Sequence, residues 1–373
     1  MSEKKQIAVF CGGRSGEHEV SLRSAKFVVS QFDMEKYDVH VVGIQKNGSW
    51  TLLDRENFLI NADDPAKVSL AEDGLEVTIR PHAGKTHFFT SKGPLQIDVV
   101  FPVLHGTFGE DGTFQGLLDM LEIAYVGADC LSSAAAMDKD VAKRLFMADG
   151  MNVLDYVVLV RWVGDPDYEE ARRSVEQTLD YPVFVKPAKL GSSVGIAKAN
   201  DSKELIAALA DAWKYDNKIL VERGVDAREI ECSVLGNEDI FVSELGEIKP
   251  HHSFYSYEAK YIDPDGAELV VGVSDIDSKI KAEIRKEAAK AYKALGCTGM
   301  ARADFFVEKG TNKIYINELN TIPGFTKISM YPKLCEISGI SGRELVSRLV
   351  ELAFERRRIL DGLKRDFSLQ DPS

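Results

Sequence analysis

The sequence has no apolar run approaching the ~18 residues that span a bilayer, which excludes a helical membrane span. It also has no signal-peptide core. The apolar stretch from Ile7 to Cys11 is too short for one and ends at Gly12-Gly13, so the expected location is the cytoplasm. Cysteine is sparse. Cys11, Cys130, Cys232, Cys297 and Cys335 are scattered, form no CxxC pair, and argue against a disulfide framework or a zinc site. Small buried hydrophobes are the simpler expectation for them. Basic charge is in deficit, with 46 Lys and Arg against 59 Asp and Glu, for a net −13 over 373 residues. Such a chain has no general attraction for phosphate backbones, so neither nucleic acid nor membrane is an expected partner, although a local basic site can still hold one small anion. Repeats and low-complexity segments are absent as well. What is there is ordinary globular composition, 45% apolar and 28% charged, in a length that suggests two or three domains.

The first segment alternates strands and helices. Ile7 to Cys11, Val39 to Ile44 and Ile97 to Leu104 read as near-continuous apolar strands, and Val20, Ala25, Val28 and Phe32 mark one side of a helix. This is the pattern of a mainly parallel, covered sheet. Hairpins are expected between Asn47 and Gly93. A second unit starts near Cys130, with a helix from Asp138 to Ala148 and strands at Val157–Val160, Val183–Lys186 and Lys218–Glu222. The third holds two hairpins, Ile230–Leu235 with Asp239–Leu245 and Arg302–Glu308 with Lys313–Leu319. A long helix through Ile280, Ile284, Ala288, Ala291 and Leu295 separates them. A helix over Leu345–Phe354 closes the chain, and Arg356-Arg357-Arg358 reads as its solvated end.

Four constellations carry chemistry. In the last hairpin, side chains two apart share a face, so Arg302 and Asp304 point one way, as do Glu318 and Asn320. Symmetry about Thr311 sets Asp304 opposite Glu318 and puts Phe306 and Ile316 on the same face. Opposed carboxylates beside apolar groups need a partner, either Arg302 or a hard divalent cation. A solvated face with an Arg–Asp pair is the alternative. In the second, Lys186 at a strand end precedes the loop Gly191-Ser192-Ser193-Val194-Gly195, which suits a phosphate or is an ordinary turn. It is not a GxxxxGK[ST] loop. In the third, Gly12-Gly13-Arg14-Ser15-Gly16-Glu17 opens a helix but lacks the GxGxxG spacing, because Cys11 stands where a glycine is required. Glu17 either complements the helix dipole or faces a cationic ligand group. In the fourth, His105 begins the loop His105-Gly106-Thr107-Phe108-Gly109-Glu110-Asp111-Gly112, at the strand edge where open sheets bind ligands.

These segments resemble, in order, the motifs of the D-alanine–D-alanine ligases of the ATP-grasp superfamily: GGxSxExEVS at Gly12–Ser21, HGxxGEDG at His105–Gly112, MDK at Met137–Lys139, GSSVG at Gly191–Gly195, YEAKY at Tyr257–Tyr261, RxD at Arg302–Asp304 and ExNTxPG at Glu318–Gly324. The resemblance covers essentially the whole chain. It implies an α/β (α+β) ATP-grasp fold of three units, 1–128, 129–224 and 225–373, with ATP between two antiparallel sheets.

By the same resemblance Lys139, Lys186 and the Ser193 loop meet the ATP phosphates, while Glu222, Arg223, Val225 and Glu229 hold adenine and ribose. Asp304, Glu318 and Asn320 bind two Mg²⁺ ions, with Mn²⁺ as a substitute. Glu17 and His105 lie near the first D-alanine, and Ser192 and Tyr261 link with Glu17. Lys260, Arg302, Gly324, Ser329 and Met330 surround the phosphates, the oxyanion and the second D-alanine. A homodimer is also implied. The chemistry asks for charge stabilisation rather than a protein nucleophile. ATP phosphorylates a carboxylate, an amine attacks the acylphosphate, and Arg302 with the Gly324 N–H serves the oxyanion. The intact Lys260-Tyr261 pair favours D-alanine over D-lactate as the second substrate. D-lactate or D-serine ligation, or nucleotide binding without ligation, are the other readings.

Overall fold

The computed structural model describes residues 3–81, 87–192, 194–250 and 267–364. Ser193, His251, His252, Lys260 and Tyr261 lie outside the described residues. The N-terminal part runs β1 (Lys5–Gly12), α1 (His18–Gln31), β2 (Tyr37–Ile44), β3 (Trp50–Leu53), β4 (Leu75–Glu76), β5 (Val99–Val103), α2 (Thr113–Met120) and β6 (Ala124–Tyr125). Its sheet has the order β6-β5-β1-β2-β3-β4. The pairs β1–β2, β1–β5 and β5–β6 are parallel, and β3 and β4 add antiparallel edges. The near-continuous apolar strands follow from this, because both faces are covered and Ile7 through Cys11 are fully buried. Short antiparallel pairs such as Thr78–Ile79 with Phe88–Thr90 fill the expected hairpin region.

The middle part contributes α3 (Cys130–Met137), α4 (Lys139–Ala148), β7 (Tyr156–Val160), α5 (Tyr168–Glu176), β8 (Val183–Pro187), β9 (Ala197–Ala199), α6 (Ser202–Ala212) and β10 (Lys218–Arg223). Its antiparallel sheet has the order β7-β10-β8-β9. Asp129, Asp138, Asp167 and Asp201 start α3 to α6, each carboxylate accepting N–H groups of the first turn. Part of the acidic excess is therefore spent on helix caps.

The last part comprises β11 (Ala227–Leu235), β12 (Phe241–Pro250), β13 (Ala267–Val271), α7 (Ser278–Ala294), β14 (Met300–Glu308), β15 (Ile314–Asn320), α8 (Met330–Ile337) and α9 (Gly342–Asp361). Its antiparallel sheet has the order β13-β12-β11-β14-β15. Ala135, Ala142 and Phe146 of α3 and α4 share a core with Ile230, Ala288 and Phe305, so these helices pack on this sheet. Ile322, Phe325, Tyr331, Leu345 and Leu349 instead join the core of the N-terminal sheet with Ile7, Val9 and Leu22.

Two expectations need correction. Asp304 does pair with Glu318, but the register then shifts by one residue. Phe305 faces Ile316 and Phe306 faces Tyr315, so Phe306 and Ile316 do not share a face. An extra residue on β15, Asn317, absorbs the shift, as a β-bulge does. The arginine run is only in part solvated: Arg358 is exposed, but Arg356 and Arg357 are not, and α9 continues to Asp361. Arg356 donates to the Tyr125 carbonyl and to Thr298 Oγ1 (both 2.8 Å) and lies over the Tyr125 ring, 4.1 Å from its centroid. Arg357 is buried and pairs with Asp361. Four of the five cysteines are buried and none is bridged. Among the described residues no helix is long and apolar enough to cross a membrane.

Candidate active site

Two cavities adjoin between the sheets. The larger, about 1000 Å³, is lined by Lys139, Lys186, Ser192, Glu222, Arg223, Val225, Glu229 and Glu318, among others. The smaller, about 180 Å³, takes in Glu17, His105, Arg302, Asn320, Gly324, Ser329 and Met330. Lys139, Ser192 and Glu318 belong to both walls. Every described residue of the expected site except Asp304 thus lines one cavity or the other. Asp304 joins through Arg302.

Glu17 caps α1 through its carbonyl, which accepts the Ser21 N–H at 3.0 Å, while its buried carboxylate makes no cap bond and accepts the Ser192 hydroxyl. The approach depends on glycine: a Cβ on Gly106, at φ +73°, would sit 2.5 Å from Glu17 Oε2. His105 is buried with both ring nitrogens engaged. Nδ1 lies 3.0 Å from the Ile322 carbonyl and Nε2 2.9 Å from Ser24 Oγ. The carbonyl can only accept, so Nδ1 carries a proton. Burial works against a second proton, but Glu110 and Glu17 outweigh it and raise the pKa. Ser24 Oγ also accepts the Phe325 N–H at 3.2 Å, next to Gly324. His105 is therefore a peg between the N-terminal sheet and the Gly324 loop.

On the nucleotide side, Lys139 opens α4 and donates to the Leu190 carbonyl (2.7 Å), with Glu318 3.5 Å away. Lys186 on β8 and Glu222 on β10 are ion-paired, and Lys143, one turn after Lys139, reaches Glu222 at 2.6 Å. All three are buried. Burial alone would raise the Glu222 pKa, but the two ammonium groups outweigh it and lower it from 4.5 to about 2. Lys143 is held below its usual value, chiefly by burial. The folded pKa of Glu222 lies below the unfolded one. Its contribution to stability is therefore complete above pH 4.5 and is lost as pH falls toward about 2. Urea unfolding between pH 6 and pH 2.5 is expected to show this loss, and a Glu222→Gln variant should show less of it.

The acidic face extends across three strands, because Glu231 on β11 registers with Asp304 and Asp304 with Glu318. Arg302 forks onto Asp304 (Nε 2.7 Å, Nη2 2.6 Å) and lies 3.2 Å from Glu231. Burial opposes its charge, but Asp304 and Glu231 override it and hold the pKa well above the usual value. Asn320 Oδ1 accepts the Ile322 N–H at 3.1 Å. Among the described residues no three His, Cys, Asp or Glu side chains could hold a metal unaided. The set of two carboxylates and one amide suits a hard cation that takes its other oxygens from phosphate and water. At the far wall, Ser329 Oγ accepts the Thr326 N–H at 3.0 Å and sits against Gly324. Met330 packs on Gly246.

Lys143, Ser24 and Glu231 were not among the expected residues. Two of them had a sequence signal: Lys143 follows Lys139 at helical i+4 spacing, and Glu231 follows Glu229 at strand spacing. Ser24 had none, because its partners lie far along the chain.

Family models for the D-ala D-ala ligase N-terminus and C-terminus match residues 6–128 and 145–351. Among similar curated proteins, the D-alanine--D-alanine ligase of Proteus mirabilis is 47% identical over 359 residues, covering 95% of this chain and 96% of the relative. That of Thermoanaerobacter sp. is 49% identical over 360 residues, covering 95% and 97%. The solved D-alanine-D-alanine ligase of Coxiella burnetii superposes with a TM-score of 0.83 at 38% identity, covering 96% and 97%. VanG D-Ala:D-Ser ligase from Enterococcus faecalis also scores 0.83, at 35% identity, covering 94% and 100%. With both halves matched and identity near one half along almost the full length, this chain belongs to the D-alanine–D-alanine ligase family.

Proposed function

We propose that the two adjoining cavities hold ATP and two D-alanine molecules, and that the chain joins the latter into D-alanyl-D-alanine for peptidoglycan precursor synthesis. The observation that carries this is the shared wall of Lys139, Ser192 and Glu318, where a triphosphate in the large cavity meets an amino acid in the small one. The carboxylate of the first D-alanine attacks the γ-phosphorus of ATP, giving D-alanyl phosphate and ADP. The amine of the second attacks the acyl carbon, phosphate leaves, and the amine loses its proton.

In this reading Lys139 and Lys186 bind phosphate oxygens, with the loop of Ser192 and Ser193 above them. The backbone around Arg223 and Val225, with Glu229, holds the nucleoside, and Glu222 orders the lysines beneath it. Glu17 takes the ammonium of the first D-alanine, with Ser192 and Tyr261 in its hydrogen-bonded chain and His105 fixing the adjacent loop. Arg302 and the Gly324 N–H stabilise the oxyanion. Lys260, Ser329 and Met330 complete the acceptor side. Asp304, Glu318 and Asn320 hold two Mg²⁺ ions, or Mn²⁺, and when bound these screen the γ-phosphoryl oxygens. Division into units 1–128, 129–224 and 225–373, a cytoplasmic location and a homodimer belong to the same proposal, supported by family membership.

The test is ADP release on mixing protein, Mg-ATP and D-alanine. Release with D-alanine is the expected result. Release only with D-serine or D-lactate as acceptor would move the chain to a sister specificity, a reading that the likeness to the D-Ala:D-Ser ligase makes worth an arm of the assay.

A further inference from the structure

Lys139 and Lys186, the two phosphate lysines of the proposed function, reach the large cavity from elements packed in different cores. Lys139 opens α4, which buries Ala142 and Phe146 in the core of the C-terminal sheet. Lys186 sits on β8 of the central sheet, whose own core holds Val183, Val185, Ile219 and Val221. Among the described residues, none of α4 enters that second core. Apolar packing alone therefore does not set one lysine against the other, and polar contacts must do so.

Lys218 supplies them. It opens β10, and its carbonyl accepts the Ala188 N–H at 2.9 Å, two residues past Lys186 on the neighbouring segment. Its ammonium reaches back to α4, 2.8 Å from Asp138 Oδ2 and 3.1 Å from Asp140 Oδ2. These two carboxylates flank Lys139 in the chain. The Lys139 N–H in turn donates to the Ala188 carbonyl at 3.0 Å, which closes a ring of Lys139, Ala188, Lys218 and Asp138. Asp138 also caps α4, and Asp140 shares its charge with Arg144 at 2.7 Å. Burial opposes the charge of Lys218, but Asp138 and Asp140 outweigh it and raise the pKa. The side chain lines neither cavity.

We propose that Lys218 is a positioning residue for nucleotide binding: it docks the Lys139 end of α4 on the central sheet and so fixes Lys139 against Lys186. This rests on the nucleotide site of the reading above.

The experiment titrates Mg-ATP into the protein by calorimetry, without D-alanine, and compares the wild type with Lys218→Met, Lys218→Arg and Asp138→Asn. Lys218→Met keeps the aliphatic stem and deletes the charge. It is expected to weaken ATP binding about 10-fold, because a misplacement of ~1 Å is enough to spoil a contact. Asp138→Asn keeps the helix cap, since asparagine caps as well as aspartate, and should move the affinity in the same direction. Lys218→Arg should keep most of the affinity. The double variant of Lys218→Met with Asp138→Asn should lose less than the product of the two single losses, as coupled partners do. Wild-type affinity in Asp138→Asn and in folded Lys218→Met would overturn the assignment, even where the melting temperature falls, since a merely structural pair leaves the affinity of the folded protein unmoved. Losses that multiply in the double variant would overturn it as well. ATP binding by a wild type that does not join D-alanine would overturn the ligase reading and leave the assignment standing. A wild type that binds no ATP would overturn both.

Discussion

Glu318→Ala is expected to lower turnover by a factor of about 10² or more while the protein stays folded. Its carboxylate is one third exposed, so its removal leaves no buried cavity and only slight strain. What it removes is charge at the wall shared by the two cavities, where it lies opposite Asp304 and 3.5 Å from Lys139. Phosphoryl transfer depends on positioning and charge stabilisation, and deleting one such group costs about 10²–10³ in kcat. The measurement is ADP release at saturating ATP and D-alanine, with thermal unfolding followed by circular dichroism. Retained turnover in a folded variant would remove Glu318 from the reaction and leave the acidic face as a structural charge pair. Lost turnover with a collapsed melting temperature would likewise speak for structure rather than chemistry.

Glu222→Gln is expected to destabilise the protein by ~3–5 kcal/mol, the usual consequence of breaking a buried ion pair from one side. Lys143 and Lys186 would then face each other, buried, with no anion between them. Two features separate this from generic core damage. Raising the pH should restore part of the loss, because burial already depresses the Lys143 pKa and its neutral form removes the repulsion. The double variant Glu222→Gln with Lys143→Met should also be more stable than Glu222→Gln alone, since it deletes the uncompensated charge. Additive losses in urea unfolding would mean the two residues do not act as a pair.

Much of this architecture is legible in local pattern. Apolar strands and the spacing of Val20, Ala25 and Val28 carry the N-terminal layer, and hairpin symmetry about Thr311 carries the opposition of Asp304 and Glu318. The failures share one physical cause, contacts between residues distant in sequence. A symmetric hairpin count contains no information about the bulge at Asn317, so it misplaces Phe306 relative to Ile316. The run at Arg356 looks solvated because its acceptors are carbonyls of Tyr125 and Gly127, far away on the N-terminal sheet. The Lys143–Glu222 pair joins two separate elements in the same way, and no local pattern announces it.

The packing of Phe325 beneath Gly324 bears on how the enzyme is made. Phe325 and Tyr331 fill the same core as Ile7 and Leu22, and the Phe325 N–H reaches Ser24 across 301 residues. The N-terminal sheet leaves the ribosome well before part of its covering, which follows 301 residues later. At about 5–20 residues per second that wait is roughly 15–60 s. Throughout it, the face destined for Phe325, Tyr331 and Leu345 stays exposed on a nascent chain. The same late arrival brings Gly324 to the cavity of Glu17, so a chain stalled before Gly324 would carry the nucleotide-side lysines but no closed amino-acid cavity.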